Sequence, residues 1–210
     1  MNKKSLLLLI EEGYEFDVEN SLRKGWEIFS LNIINSLAYM MFIFSIQLMV
    51  VLYMPELMLL YSILVFPALI CGFFLVANKS SQNEPVTYPD FFKGFKYYIP
   101  LVLINVVGQV LVALGIFVLI LPGIFLTVSY MFAFLIALFA GTDFWQSLEL
   151  SRKLIYLNFK KFFILFLLLV VLNVIGALIL IGLLITVPFS MYVIYAAFET
   201  VTRNAVTEEE

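Results

Sequence analysis

The chain has 210 residues, 63% of them hydrophobic and 13% charged, with a mean hydropathy of +1.06. Soluble domains carry about a quarter charged residues, so an ordinary water-exposed globule is excluded. A net charge of −3 and a pI near 5.1 argue against nucleic acid as a partner, and the lack of any histidine removes the commonest general base and metal ligand.

Lys3 and Lys4 precede Ser5–Ile10, an apolar run short of the roughly 7–15 residues of a signal-peptide core. Glu11 and Glu12 follow, with no small-residue cleavage site. Residues 1–16 read as an N-terminal cytoplasmic segment, and residues 17–202 as a single membrane domain. Over 17–29 the apolar positions Val18, Leu22, Trp26 and Phe29 step by three and four, and Glu19, Arg23 and Glu27 form an i,i+4 ladder on the other side. This predicts an amphipathic helix in the membrane interface.

The first spans are expected at about 30–53 and 57–78, joined at Met54-Pro55-Glu56. Glu56 is the only charge between Glu27 and Lys79. Pro67 should kink the second span, and a neighbouring helix must then cover the freed carbonyl. A second interfacial helix is expected over 88–97, where Thr87 can N-cap and Asp90 can close a capping box. From Tyr97 to Thr142 no residue is charged, a stretch of 46. One helix of that length would measure about 69 Å against a hydrocarbon core of about 30 Å, so it folds back. Leu121-Pro122-Gly123 is the expected turn, giving spans at about 99–120 and 124–140.

A third interfacial helix is expected over 143–158. Its polar face is Asp143, Gln146, Glu149 and Lys153, and its apolar face is Phe144, Leu148, Ser151 and Ile155. Phe162–Phe198 is again uncharged over 37 residues. With Gly182 and Pro188 bracketing a turn, it divides into spans at about 162–181 and 184–199. Residues 203–210 read as an acidic cytoplasmic tail. The predicted fold is thus all-α and polytopic: six transmembrane helices in three hairpins, each preceded by an interfacial amphipathic helix.

The twelve basic residues are Lys3, Lys4, Arg23, Lys24, Lys79, Lys93, Lys96, Arg152, Lys153, Lys160, Lys161 and Arg203. All fall outside the three hairpin turns. Short basic loops stay cytoplasmic, which predicts cytoplasmic N- and C-termini. An internal repeat is also expected. Asp17, Ser21, Leu22, Leu31 and Asn32 match Asp143, Ser147, Leu148, Leu157 and Asn158, and Gly25-Trp26 matches Gly94-Phe95. Within the spans Ile104–Gly108 matches Leu172–Gly176, and Pro67, Pro122 and Pro188 each lie near the start of an even-numbered span. Three parallel units about the membrane normal would account for this.

The expected spans carry no charge, which weighs against proton relays and ion-coupled transport. Asn105, Gln109 and Asn173 form the candidate polar intramembrane cluster. A polar lining for a substrate path and interhelical hydrogen bonding both fit them. The second is preferred, because Asn105 and Asn173 each stand three residues before a glycine, a close-packing context. Asp17, Asp90 and Asp143 sit at helix starts, where capping explains them more simply than metal binding or acid–base work. Cys71, flanked by apolar residues, reads as packing. No phosphate loop, dinucleotide fingerprint, HExxH or CxxC occurs, and Ser-His-Asp chemistry has no histidine. No catalytic, cofactor-binding or metal-binding residue is expected.

The run from Phe66-Pro67 to Gly72-Phe73, then Asp90–Phe95, Leu121–Ile124 and Ser147–Lys161 resembles a broad group of uncharacterised bacterial integral membrane proteins. That group includes the membrane domain fused to some glycerophosphodiester phosphodiesterases. The resemblance runs from about Asp17 to Thr202. It implies a bacterial cytoplasmic membrane and a six-span fold, and carries over no catalytic residue, because the soluble phosphodiesterase domain is missing. The leading functional expectation is a non-enzymatic scaffold, assembly or lipid-organising module. The alternative is a transporter or permeation unit for an uncharged or lipidic solute, with a membrane enzyme third. The expected partners are the bilayer and another membrane protein or a second copy of the chain.

Overall fold

The structure, a computed structural model, describes residues 3–179 and 181–207. Among these residues there is no strand, and six helices are long and apolar enough to cross a membrane. Spans 1 and 2 are Ile33–Tyr53 and Pro55–Ser81. Span 3 is Tyr98–Val118, which continues directly from a 3₁₀ helix over Tyr88–Tyr97. Spans 4, 5 and 6 are Ile120–Ala140, Phe159–Leu178 and Leu183–Arg203. A helix of 20 residues is about 30 Å long, the thickness of a hydrocarbon core. The last helix runs on to Thr207, so residues expected as tail from 203 onward begin as helix. Glu208–Glu210 lie outside the described residues.

The first turn falls at Met54-Pro55, as expected. The other two differ. Spans 3 and 4 are divided at Leu119, with φ −158° and ψ 140°, and Pro122 lies in the first turn of span 4. A proline there gives up an N–H that would have had no helical partner. Spans 5 and 6 are divided between Leu178 and Leu183, and Pro188 stands inside span 6 rather than at its edge. The three prolines thus lie at different depths. What spans 3–4 and 5–6 do share is a glycine pair at the turn: Gly115 against Gly123, and Gly176 against Gly182.

Spans 2, 4 and 6 are 56%, 50% and 50% buried, against 22%, 17% and 22% for spans 1, 3 and 5. The even-numbered helices therefore form the inside of the bundle. Span 6 packs on span 2, and its Phe198 lies against Phe132 and Phe139 of span 4. Tyr39 of span 1 ties the first part together. Its hydroxyl donates to the Leu69 and Phe91 carbonyls at 2.9 and 3.1 Å.

Three short helices precede spans 1, 3 and 5, and each docks on an even span other than the one that follows it. Val18–Leu31 packs on span 6, Tyr88–Tyr97 on span 2, and Phe144–Leu157 on span 4. Each makes the contact through a small residue. Gly25 lies on Val193, Gly94 on the Ala68 carbonyl, and Ser151 on the Ser129 carbonyl. Small side chains let two backbones approach closely.

That requirement corrects two expectations. In Val18–Leu31 the buried residues are Ser21, Gly25, Ile28 and Phe29, while Trp26 is 55% exposed. Phe29 of the expected apolar face does lie against Phe189 and Tyr192 of span 6, and Val18 and Leu22 pack partly on the core, while Trp26 reaches Phe189 only from the edge. Ser21 and Gly25 join that face, because the close approach needs small residues. Glu19, Arg23 and Glu27 form no ion-pair ladder among the described residues, and Arg23 bonds Asn20 instead. The N-terminal segment is also more than an appendage. Its helix Lys3–Glu12 packs on Phe144–Leu157 and span 6 and buries Leu6 and Leu9. Phe16 stacks on Phe162 at 4.0 Å, and the Tyr14 hydroxyl donates to the Leu154 carbonyl at 2.7 Å.

Candidate functional site

Span 2 is irregular where Pro67 interrupts it. Tyr61–Val65 widens into a π turn, with the Phe66 N–H bonded back to the Tyr61 carbonyl. Proline has no N–H to return to the carbonyl four residues earlier, Ile63. Asn105 of span 3 supplies the donor. Its Nδ2 lies 3.2 Å from the Ser62 carbonyl and 3.4 Å from the Ile63 carbonyl. Its Oδ1 accepts from Gln109 Nε2 at 2.9 Å, which orients the amide. Two of the three expected cluster residues therefore act together on a broken backbone.

Span 4 is mended in the same way. It breaks at Tyr130–Phe132, between Ile120–Ser129 and Ala133–Ala140. The Ser129 carbonyl and the Phe132 N–H are both left without helical partners. Ser151 Oγ donates to the first at 2.6 Å and accepts from the second at 3.1 Å. Unpaired backbone groups are costly in lipid, and one hydroxyl here satisfies two.

Asn173 belongs to a different place. Its Nδ2 donates to Ser190 Oγ of span 6 at 2.7 Å and to the Leu169 carbonyl of its own helix at 2.8 Å. Gly176, three residues on, meets Gly182, whereas Gly108 faces Leu148 and Tyr130 at ordinary contact distances. Gly115, not Gly108, occupies the setting that matches Gly176. The expected pairing of Asn105 with Asn173 through Ile104–Gly108 and Leu172–Gly176 is therefore out of register, since apolar spans give many near-matches. Among the described residues, Asn173 Oδ1, Thr186 Oγ1, Tyr61 Oη and Ser129 Oγ are buried without a hydrogen-bond partner.

The three aspartates cap helices. Asp17 accepts from the Glu19 N–H and Asp143 from the Gln146 N–H, both at 2.9 Å. Asp90 accepts from the Thr87 N–H at 2.7 Å and pairs with Lys79 and Lys93. Glu149, held below the usual carboxylate range by hydrogen bonds from Arg152, is likewise paired. Among the described residues no group of three or more His, Cys, Asp or Glu is arranged to hold a metal ion. Cys71 is fully buried among apolar side chains.

A cavity of about 710 Å³ opens at the end of the bundle opposite the three turns, where the even spans finish. Helix Val18–Leu31, the end of span 2, Phe139 of span 4 and the last turns of span 6 enclose it. Its floor is fixed by hydrogen bonds. The Tyr195 hydroxyl donates to Asn78 Oδ1 at 3.1 Å and lies 2.9 Å from Ser81 Oγ. Asn32 Nδ2 donates to Ser80 Oγ at 2.9 Å.

No family model, curated protein or solved structure matches the chain. The site has to be read from its own residues. Sequence reasoning found Asn105 and Gln109 because amides are conspicuous in apolar runs. It missed Ser151, which reads as one more residue on a helix face, and it missed the cavity, whose walls come from four separate segments.

Proposed function

We propose that this chain is a non-enzymatic integral membrane module of a bacterial cytoplasmic membrane, a scaffold, assembly or lipid-organising part. The observation that carries the reading is the use of the polar groups in and against the spans. Asn105 covers the carbonyls freed at Pro67, Ser151 bridges the break in span 4, and Asn173 ties span 5 to span 6. These groups hold helices together, as expected where lipid offers no hydrophobic drive between them. The docking of each short helix through Gly25, Gly94 or Ser151 supports the threefold internal repeat. The resemblance to the bacterial membrane group supports the location. Gln47, on outward-facing span 1, has no hydrogen-bond partner among the described residues, which favours contact there with a second copy or another membrane protein.

The alternative, a permeation unit for an uncharged or lipidic solute, draws support from the cavity. Reconstitution into vesicles decides between them. The purified protein should give no flux of glycerol, and no exchange of a fluorescent lipid analogue between leaflets, above protein-free vesicles. A saturable flux or exchange would replace the scaffold reading with transport.

The one-sided basic residues support cytoplasmic termini. Single cysteines at Glu56, Leu121 and Ile185 should react with an impermeant thiol reagent in intact cells, and one at Glu84 should not. Native Cys71 is buried and should not interfere. The reverse labelling pattern would invert the topology.

A further inference from the structure

The cavity at the charged end has an unusual lining. Lys24 and Arg203 face it, and so do Glu27 and Glu199. Lys24 and Glu27 stand three apart on one helix, and Glu199 and Arg203 four apart on another, spacings at which opposite charges ordinarily pair. Neither pair forms, and among the described residues no ion pair joins any of the four. Two other clusters do pair: Asp90 takes both Lys79 and Lys93, and Glu149 takes both Arg152 and Lys153. Glu19 and Arg23, on the outer side of Val18–Leu31, form no ion pair among the described residues either, so what sets the four apart is that they converge on one cavity. Here two cations and two anions are left to project fields of both signs into one space.

The rest of the lining defines what fits. The hydrogen-bonded floor of Asn78, Ser81 and Tyr195 is preorganised. Ile28, Phe139 and Phe198 give apolar wall, and Leu31, 76% exposed, leads from the cavity to the outer face of the bundle. A volume of about 710 Å³ suits a small molecule. The geometry points to a binding site for a zwitterion with a phosphate and an ammonium group a few bonds apart, the chemistry of an aminoalkyl phospholipid headgroup. Lys24 and Arg203 take the phosphate, Glu27 and Glu199 take the ammonium, and the Leu31 side offers an exit for acyl chains. A headgroup of net negative charge would satisfy the two cations and leave both glutamates opposed to it. This inference rests on the lipid-organising form of the proposed function.

The test uses the purified full chain in detergent, titrated by calorimetry with short-chain phosphatidylethanolamine, short-chain phosphatidylglycerol and free phosphoethanolamine. The expected result is saturable binding of phosphatidylethanolamine, at least tenfold tighter than phosphatidylglycerol. K24Q and E199Q should each weaken it at least tenfold, with the melting temperature of the unliganded protein unchanged. K96Q, outside the cavity lining, should bind as the parent does. Competition by phosphoethanolamine would assign the site to the headgroup alone, and its failure to compete would assign it to the whole lipid. Equal binding of phosphatidylglycerol, unchanged binding by the folded variants, or no binding of any probe would overturn the site. Binding accompanied by leaflet exchange would leave the site standing and remove the scaffold reading instead.

Discussion

Alanine in place of Gly94 should be among the most destabilising single-methyl additions to this fold. The 3₁₀ helix Tyr88–Tyr97 lies backbone to backbone on span 2. A Cβ at Gly94 would run into the Ala68 carbonyl oxygen, and one at Gly72 into the Phe91 carbonyl oxygen. Neither obstacle is a flexible side-chain end. Moving it means shifting a helix that Tyr39 also bonds through the Leu69 and Phe91 carbonyls. Overpacking of this kind costs about 1–3 kcal/mol and sometimes more, and G94A should fall at or above the upper limit. G108A is the control, because a Cβ there meets Leu148 at 3.6 Å and Tyr130 at 3.9 Å, ordinary contacts. Melting temperatures in detergent should fall sharply for G94A and hold or rise for G108A. Equal behaviour would mean the two backbones do not lie in contact.

The second large effect is expected at Asn105, and its size should depend on Pro67. In the parent chain, N105L removes the only side-chain donor that reaches the Ser62 and Ile63 carbonyls among the described residues. Interhelical bonds in membranes are worth about 0.5–2 kcal/mol, and the loss should fall in that range. P67A restores an N–H to the helix ladder and should make Asn105 partly redundant. The double variant P67A/N105L should therefore lose less than the two single changes add up to, a coupling that a double-mutant cycle measures directly. Strict additivity would show that the asparagine serves something other than the proline's freed carbonyl. N105L that kept full stability while losing a bound lipid or a solute flux would make Asn105 a site residue.

Much of this fold is legible in the residues, and the reason is that a bilayer is a simple solvent. Uncharged runs at Tyr97–Thr142 and Phe162–Phe198 are too long for one crossing and too apolar for water, so the span count follows from length alone. The caps are legible too, since Asp17, Asp143 and the Thr87/Asp90 box obey local rules that need no tertiary information. What hydrophobicity cannot rank is which face of a helix meets protein and which meets lipid, because both accept Leu and Trp equally. On Val18–Leu31 the expected Phe29 does turn inward, but the parts played by Ser21 and Gly25 and the exposure of Trp26 were hidden for that reason. The break in span 4 was hidden because no proline or charge marks Tyr130–Phe132; only the structure brings Ser151 to it. The cavity has a local trace, opposite charges at pairing spacing in the sequence on two helices, but nothing in the sequence says that those pairs stay open.

The docking of Val18–Leu31 on span 6 also sets an order of events during synthesis. Span 1, which follows that helix, meets span 6 too: the Ser36 and Tyr192 hydroxyls lie 2.6 Å from each other, and the two residues are 156 apart in the chain. A ribosome adding about 5–20 residues per second reaches the later one roughly 8–30 s after the earlier. Through that interval the first amphipathic helix has emerged without the surface it belongs on, while the second and third helices meet spans already made. A nascent chain stopped after span 5 would leave both Lys3–Glu12 and Val18–Leu31 without the helix of span 6 that they pack on. Span 6 supplies the surface both need, and a product truncated before it should be cleared by proteolysis that begins in those two helices.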